Sequence, residues 1–267
     1  MAYRLGQAAR AAGHRLHVHD RLGSTNTEAL ERARAGELGP LWVVAHRQEA
    51  GRGRRGNAWA SLPGNLTASV LWPVSGVAPD HLAELGFVAG VALADAVEAT
   101  CGTLPGWDRR DPTRSVRLKW PNDLLLGSGK LAGLLLEAEV LPGGRRAVVI
   151  GFGVNVAAAP ANLPATSLAA AGYVGGPEAL LEHLSDEMAA HARAWAGGKA
   201  FTRIRERWLA RAAGLGSEIA VASGERVLRG RFDTIDEGGR LVILGPDEAR
   251  HVVTAGEVHF GTAATAA

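Results

Sequence analysis

The sequence predicts an α+β protein. A mixed sheet with helices is expected over residues 1–214, then a small SH3-like β-barrel over residues 215–262 and a disordered tail at 263–267. Three observations carry this. The 267 residues suffice for one sizeable domain and a small appended module. As far as Gly214, strand-like apolar runs alternate with longer stretches of helical period. Past Gly214 the helical period stops, and short alternating runs recur between Gly and Asp turns: Ile219 to Val221, Val227 to Asp233, Leu241 to Leu244, His251 to Thr254 and Val258 to Phe260.

In chain order, residues 1–15 are Ala- and Arg-rich and read as a short helix or loose arm. Leu16, Val18 and Asp20 alternate as a strand. Thr25 and Glu28 then show capping-box spacing ahead of a helix through Ala35. His17 and His19 alternate on that strand with no carboxylate nearby in sequence, so a dedicated metal site is not expected there. Leu41 to Ala45 and Asn65 to Trp72 read as strands joined by a connection of about twenty residues, a length that marks a lid or binding loop. Pro79 to Cys101 is helical, with Leu82, Leu85, Val88, Ala92 and Val97 toward a core; Gly102 to Ser115 reads as an exposed insertion. Two strands around a Gly-Ser-Gly turn set Asp123 and Lys130 near the ends of a hairpin connection. Ala147 to Asn155 is a buried strand in which Gly151 and Gly153 allow close approach. Helices over Pro177 to Trp195 and Phe201 to Ala212 lead to the barrel.

Composition limits the function. With 47% hydrophobic and 21% charged residues and a formal net charge of +2, the chain is an ordinary globular protein, far from a basic nucleic-acid coat. Lys119, Lys130 and Lys199 are the only lysines among 29 basic residues, which singles out the two that fall inside motifs. The lone Cys101 excludes an intramolecular disulfide and reads as a buried small hydrophobe, consistent with a reducing, cytoplasmic setting. No apolar segment at the amino terminus resembles a secretion signal. The longest uncharged apolar run, Leu85 to Ala94, is too short to cross a bilayer.

The chemistry concentrates in a few stretches. In Gln48 to Trp59, Gly51, Gly53 and Gly56 alternate with Arg52, Arg54 and Arg55. Such a loop can close over an anion while guanidinium forks engage phosphate or carboxylate. An arginine-rich surface turn or a nucleic-acid contact is the competing reading. Ser24, Thr25 and Asn26 form either a helix cap or a polar cluster suited to a small amide or ureido ring. Lys130 can serve a reacting phosphate or carboxylate, and Asn155 is a polar handle at a strand end. The single Gly-x-Gly lacks a third glycine and a following helix, and there is no Walker lysine, so neither dinucleotide nor P-loop binding is expected.

Taken together and in order, Ser24-Thr25-Asn26, Gln48 with Gly51-Arg52-Gly53-Arg54-Arg55-Gly56 and Trp59, Lys119-Trp120-Pro121-Asn122-Asp123, Lys130-Leu131-Ala132-Gly133 and Gly151-Phe152-Gly153-Val154-Asn155 resemble biotin protein ligases from about Leu16 to Phe260. The resemblance implies a sheet of the class II aminoacyl-tRNA synthetase/biotin ligase type. It implies ATP, Mg2+ carried with the nucleotide, and biotin as substrate. The partner it implies is a biotin carboxyl carrier protein domain, with neither DNA nor membrane. Members with an amino-terminal DNA-binding domain also repress transcription; this chain begins at the catalytic core and resembles the ligase-only group.

By the same resemblance the biotin-binding residues are Ser24, Thr25, Asn26, Gln48, Gly51, Arg52, Gly53, Arg54, Lys130, Gly133 and Gly153. Arg54, Trp59, Asn122, Lys130 and Asn155 would face ATP, with Trp59 packing near the adenine. Lys130, Arg52 and Asp123 would be catalytic, and no protein metal ligands are expected. Phe152 departs from the small residue expected there, which should alter packing beneath the nucleotide. Two alternatives stay open. One is a lipoate ligase with the same adenylation logic, whose pocket would be an apolar tunnel; the other is a non-enzymatic nucleic-acid-binding module.

Overall fold

The structure is a computed structural model that describes residues 2–102, 104, 107, 111, 113–224 and 226–260. The anticipated tail at 263–267 lies outside them, as does part of the insertion between Gly102 and Ser115. Within the described chain, α1 (Gln7–Ala11) precedes β1 (Arg15–Leu22), α2 (Thr25–Arg34), β2 (Leu41–Gln48) and β3 (Leu66–Trp72). Next come α3 (Leu85–Cys101), a meander of β4 (Val116–Lys119), β5 (Asp123–Leu126), β6 (Gly129–Val140) and β7 (Arg146–Val154), and then α4 (Pro177–Trp195) and α5 (Phe201–Leu209). The carboxy-terminal module comprises β8 (Glu218–Ser223), β9 (Arg226–Ile235), β10 (Leu241–Leu244), β11 (Arg250–Val253) and β12 (Glu257–Phe260).

The first seven strands form one mixed sheet in the order β1-β2-β3-β7-β6-β5-β4. Only β1 and β2 run parallel, because α2 carries the chain back between them as a crossover connection. The two faces are covered unequally. From β7, Val148, Ile150, Phe152 and Val154 point into the large core under α3 and α4; Ala147 and Val149 point the other way, into a small cluster with Ala29, Leu30 and Ala33 of α2. Gly151 and Gly153 continue that second face, under the first turn of α2 and past it. There β7 carries no side chains, and a cleft opens. Helix α3 is buried on all sides rather than along one stripe, so the apolar residues between its expected core positions are core as well.

The amino-terminal arm is docked, not loose. Tyr3 and Leu5 are buried in the main core, and the Gly6 and Ala9 amides, both at 2.8 Å, donate to Ser185 Oγ and Asp186 Oδ1 of α4. The last five strands pair in the order β11-β10-β9-β8-β12, an antiparallel meander whose first and last strands adjoin, as expected for an SH3-like barrel. The barrel is tied to the sheet by the segment after α5. Leu118 N–H donates to the Arg211 carbonyl and Ala213 N–H to the Leu118 carbonyl, both at 2.8 Å. On either side of that strip, Trp120 Nε1 donates to the Gly239 carbonyl at 3.2 Å, and Lys119 Nζ lies 5.6 Å above the Phe260 ring.

Two local expectations are corrected. The helix before Ala35 starts one residue earlier than the capping box implies: Ser24 is its N-cap and makes no side-chain cap bond. Thr25 and Glu28 do not form the box, because Glu28 pairs with Arg32 at 2.7 Å and Thr25 turns toward Gln48. Glu28 also lies 3.9 Å from His19 Nε2, so that strand histidine does face a carboxylate, supplied by the next element.

Candidate active site

The cleft on the glycine face gathers residues from seven stretches of the chain. Ser24, Thr25 and Asn26 enter at the start of α2, Gln48 at the end of β2, and Arg52 to Trp59 from the loop between β2 and β3. Lys119 to Asp123 enter from the β4–β5 turn, Lys130, Gly133, Leu134 and Leu135 from β6, Gly151 to Gly153 from β7, and Gly256 to Val258 from the barrel.

The polar nest at one end is closely bonded. Thr25 N–H donates to Gln48 Oε1 at 2.8 Å, and the Thr25 hydroxyl lies 3.0 Å from the same oxygen. Gln48 N–H donates to Ser61 Oγ at 2.9 Å. Asn26 Nδ2 donates to the Leu135 carbonyl at 3.1 Å and to Glu137 Oε2 at 2.7 Å. Its Oδ1 faces Ser69 Oγ at 2.5 Å, and that hydroxyl is also 2.6 Å from Thr25 Oγ1. The amide of Asn26 lies over Gly151, where a Cβ would come within 2.4 Å of Oδ1. Glycine there is a steric requirement of the nest.

At the other end are the charges. Lys130 Nζ is 2.7 Å from Asp123 Oδ1, and a register shift between Leu124 and Leu125 in the β5–β6 hairpin puts the two side chains on the same face. Arg54 Nη1 donates to Asn122 Oδ1 at 3.2 Å, and Asn122 Nδ2 in turn donates to the Leu134 carbonyl at 2.7 Å. Burial and the neighbouring Arg55 push the Arg54 guanidinium below its usual range, against the pull of Asp123 and Glu257. Arg52 Nη2 reaches Glu137 Oε2 at 3.0 Å and Thr27 Oγ1 at 3.2 Å. The loop is not structureless: Arg52 bridges Ala58 across a turn at Arg54–Gly56, which returns Trp59 to the cleft.

Trp59 lies on the glycine floor. A Cβ on Gly153 would stand 2.3 Å from its Cε2, and one on Gly133 3.2 Å from its Cζ3; Lys130 Nζ is 5.9 Å from its ring centroid. The indole Nε1–H is buried and has no acceptor among the described residues.

Nearly all the expected site residues converge here, with two exceptions. Gly51 does not line the cleft; it backs the loop, with the Trp59 carbonyl 2.6 Å from where a Cβ would stand. Asn155 does not line it either, being buried behind Lys130 with Nδ2 donating to the Lys130 carbonyl at 3.4 Å. Phe152 stands between the two floor glycines. Strand alternation sends its ring to the opposite face, where it stacks on Trp42 at 5.8 Å. Sequence reasoning missed Ser61, Ser69, Glu137 and the barrel edge at Glu257. Ser69 left a trace, since Thr67 and Ser69 are polar at alternate positions of an otherwise apolar strand. Glu257 left none, because only the docking of the barrel brings it to the cleft.

A second titratable cluster lies outside the cleft. His191 Nε2 is 2.7 Å from Asp95 Oδ2 and 3.4 Å from Glu187 Oε2, a grouping of possible metal ligands that the scattered histidines did not foretell. Arg211, at 2.5 Å from Asp95 and 3.2 Å from Glu98, already neutralises it.

Comparison with known proteins agrees with this geometry. The profile described as the Biotin/lipoate A/B protein ligase family matches residues 18–155, and that of the Biotin protein ligase C terminal domain matches residues 214–261. The biotin–[acetyl-CoA-carboxylase] ligase of Paracoccus denitrificans is 40% identical over 250 residues, 90% of this chain and 98% of that protein. Its counterpart in Mycobacterium tuberculosis is 33% identical over 253 residues, covering 89% of each. Among solved structures, a biotin protein ligase from Aquifex aeolicus in complex with biotin and ATP superposes with a TM-score of 0.74 at 25% identity, over 92% of this chain and 97% of the other. With a glycine-floored cleft between a polar nest and a cationic loop, and with both profiles matched in their order, the chain belongs to the biotin protein ligase family.

Proposed function

We infer that this chain is a biotin–[acetyl-CoA-carboxylase] ligase. It joins biotin to ATP as biotinyl-5′-adenylate and passes the biotinyl group to a lysine of a biotin carboxyl carrier domain. The observation that carries this is the division of one cleft into two chemistries. A nest of neutral hydroxyls and amides, Ser24, Thr25, Asn26 and Gln48, suits a ureido ring, while Lys130, Arg52 and Arg54 suit anions. An apolar tunnel for a lipoyl chain would not need that nest. Biotin-dependent, lipoate-independent exchange of pyrophosphate into ATP tests the assignment, and exchange with lipoate instead would overturn it.

In the first step an oxygen of the biotin carboxylate bonds to the α-phosphorus as the bond to pyrophosphate breaks. Two anions meet, so the barrier is largely charge repulsion, and cations held in place beforehand are the remedy. Lys130 is held by Asp123 and by its own backbone: Lys130 N–H donates to the Pro164 carbonyl and Thr166 N–H to the Lys130 carbonyl, both at 3.0 Å. Arg54 is held by Asn122, and Arg52 waits on Glu137 at the edge of the nest. Trp59 covers Gly133 and Gly153, and we assign it to shield the intermediate, next to the nucleotide. Gly51 and Asn155, which do not line the cleft, support the loop and Lys130 from behind. Magnesium belongs with the triphosphate as part of the substrate, held mainly by phosphate oxygens.

In the second step the acceptor amine attacks the acyl carbon and AMP leaves with the bonding pair. The amine must be neutral to attack, although a free lysine titrates near about 10.4. We assign Asp123 to take its proton. Mass spectrometry of a carrier domain incubated with the chain, biotin and ATP tests the whole sequence, and an unmodified carrier would refute it. The cytoplasm is the compartment we assign; recovery from an oxidising compartment would contradict it. The catalytic domain over 1–214 and the barrel from 215 are proposed as the functional units.

A further inference from the structure

The two halves of the cleft are held by different parts of the molecule. The nest is set by α2, β2, β3 and β6, through Thr25, Gln48, Ser69 and the Leu135 carbonyl. The charged half depends on the turn between β4 and β5, from which Asn122 and Asp123 reach Arg54 and Lys130. Strand β4 is the last of its sheet, and the strip after α5 lies along its outer edge. Leu118, which leads directly into Lys119 and the turn, makes a parallel bridge to Ala212 of that strip.

The strip carries a charged anchor. Arg211 Nη2 donates to Asp95 Oδ1 at 2.5 Å and to Glu98 Oε2 at 3.2 Å, both on α3. The Arg211 carbonyl accepts from Leu118 N–H, so one residue joins α3 to the edge of the sheet. His191 of α4 and Arg207 of α5 face Asp95 at 2.7 Å and 3.7 Å. Burial pushes the Asp95 carboxyl up, but the bond from His191 and the charges of Arg211 and Arg207 outweigh it and hold the group below its usual range. The side chains of Arg211, Asp95 and Glu98 are only 20%, 15% and 8% exposed, and an ion network that deep gains little net stability for its desolvation cost. We propose that Arg211 is a positioning residue for the charged half of the cleft. It anchors the strip along β4, and so sets the turn from which Asn122 and Asp123 hold Arg54 and Lys130. Neither Arg211 nor its two carboxylates line the cleft, so it acts entirely through that turn. This rests on the ligase reading, in which Lys130 and Arg54 face the reacting anions.

The test combines exchange of labelled pyrophosphate into ATP, biotin calorimetry and thermal melting on the full chain. Arg211→Met should slow exchange at saturating biotin and ATP by about tenfold or more, since a misplacement of about 1 Å from a remote change can cost about 100-fold. Biotin affinity should stay within about threefold of wild type, because the nest is held elsewhere. The melting temperature should fall, since Asp95 and Glu98 lose their counter-charge. Adding Asp95→Asn and Glu98→Gln removes those charges and should restore the melting temperature without restoring exchange. This triple variant carries the test if Arg211→Met alone does not fold. Arg211→Lys returns a cationic donor to the two carboxylates and should recover part of the lost rate. Exchange within about twofold of wild type in Arg211→Met, recovery of exchange together with melting temperature in the triple variant, or biotin affinity falling in step with the rate overturns the proposal. Each of these leaves the ligase reading intact, whereas absence of biotin-dependent exchange in wild type overturns both.

Discussion

Replacing Lys130 with alanine separates what this residue does for the fold from what it does for the reaction. In the ground state its side chain is 37% exposed and its partner Asp123 17% exposed, at 2.7 Å. An ion pair that open to water is screened, so its loss should cost no more than about 1 kcal/mol, lowering the melting temperature of a chain this size by about 2–4 °C. The transition state is a different matter. There the ammonium faces charge developing between a carboxylate and a triphosphate in a partly water-excluded cleft, where removing one preorganised donor costs about 100- to 1,000-fold in rate. The assay is exchange of labelled pyrophosphate into ATP at saturating biotin, run beside thermal melting. Lys130→Arg should recover only part of the loss, because a planar fork does not fit where a compact ammonium sits. Exchange within about threefold of wild type in the alanine variant would refute the electrostatic argument.

Four further outcomes follow from particular contacts. Arg54→Gly removes the bond to Asn122 Oδ1 and should raise the rate at which biotinyl-adenylate escapes, followed by rapid filtration; unchanged retention would contradict a lid role. Gly153→Ala places a methyl 2.3 Å from Trp59 Cε2 and should displace the indole, weakening biotin binding about tenfold or more; because the loop can give way, stability should fall by less than about 1 kcal/mol. Trp120→Phe leaves the Gly239 carbonyl without its 3.2 Å donor and should cost about 1–2 kcal/mol, read by denaturant melts. Burial lowers the His14 pKa from 6.5, against an opposing pull from Asp186, so the folded state favours the neutral ring that faces Trp42 Nε1 at 3.1 Å. Its contribution is complete above 6.5 and is lost as pH falls through that value toward the folded one. The melting temperature of wild type relative to His14→Phe should therefore drop over that window, and parallel curves would remove His14 as the cause.

The sequence revealed more of the elements than of their contacts. The strand Leu241–Leu244 and the helix Pro177–Trp195 lie where their periodicity places them, because turn residues and a leading proline bound them locally. The glycines and arginines of the loop and the isolated lysine were legible for the same reason: their chemistry is intrinsic to the residue. What was not legible depends on partners far away in the chain. Thr25 has the spacing of a cap, yet it bonds to Gln48, 23 residues on, and only the parallel pairing of β1 with β2 makes that possible. Asn155 was expected to face a ligand, but it lies just past the end of β7 and turns inward to the Lys130 carbonyl.

The turn that bears Asn122 and Asp123 is gripped on both flanks by the small carboxy-terminal module, through the Gly239 carbonyl on Trp120 and the Phe260 ring under Lys119. Gly239 has φ +78 and would meet Phe87 at 2.7 Å with any added Cβ, so the grip tolerates little variation in the module's hairpin. Chimeras that graft the module of one relative onto the core of another should work only when this hairpin and the turn it grips are transplanted together. The two portions of the chain, separable on paper, would then have to change as a matched pair.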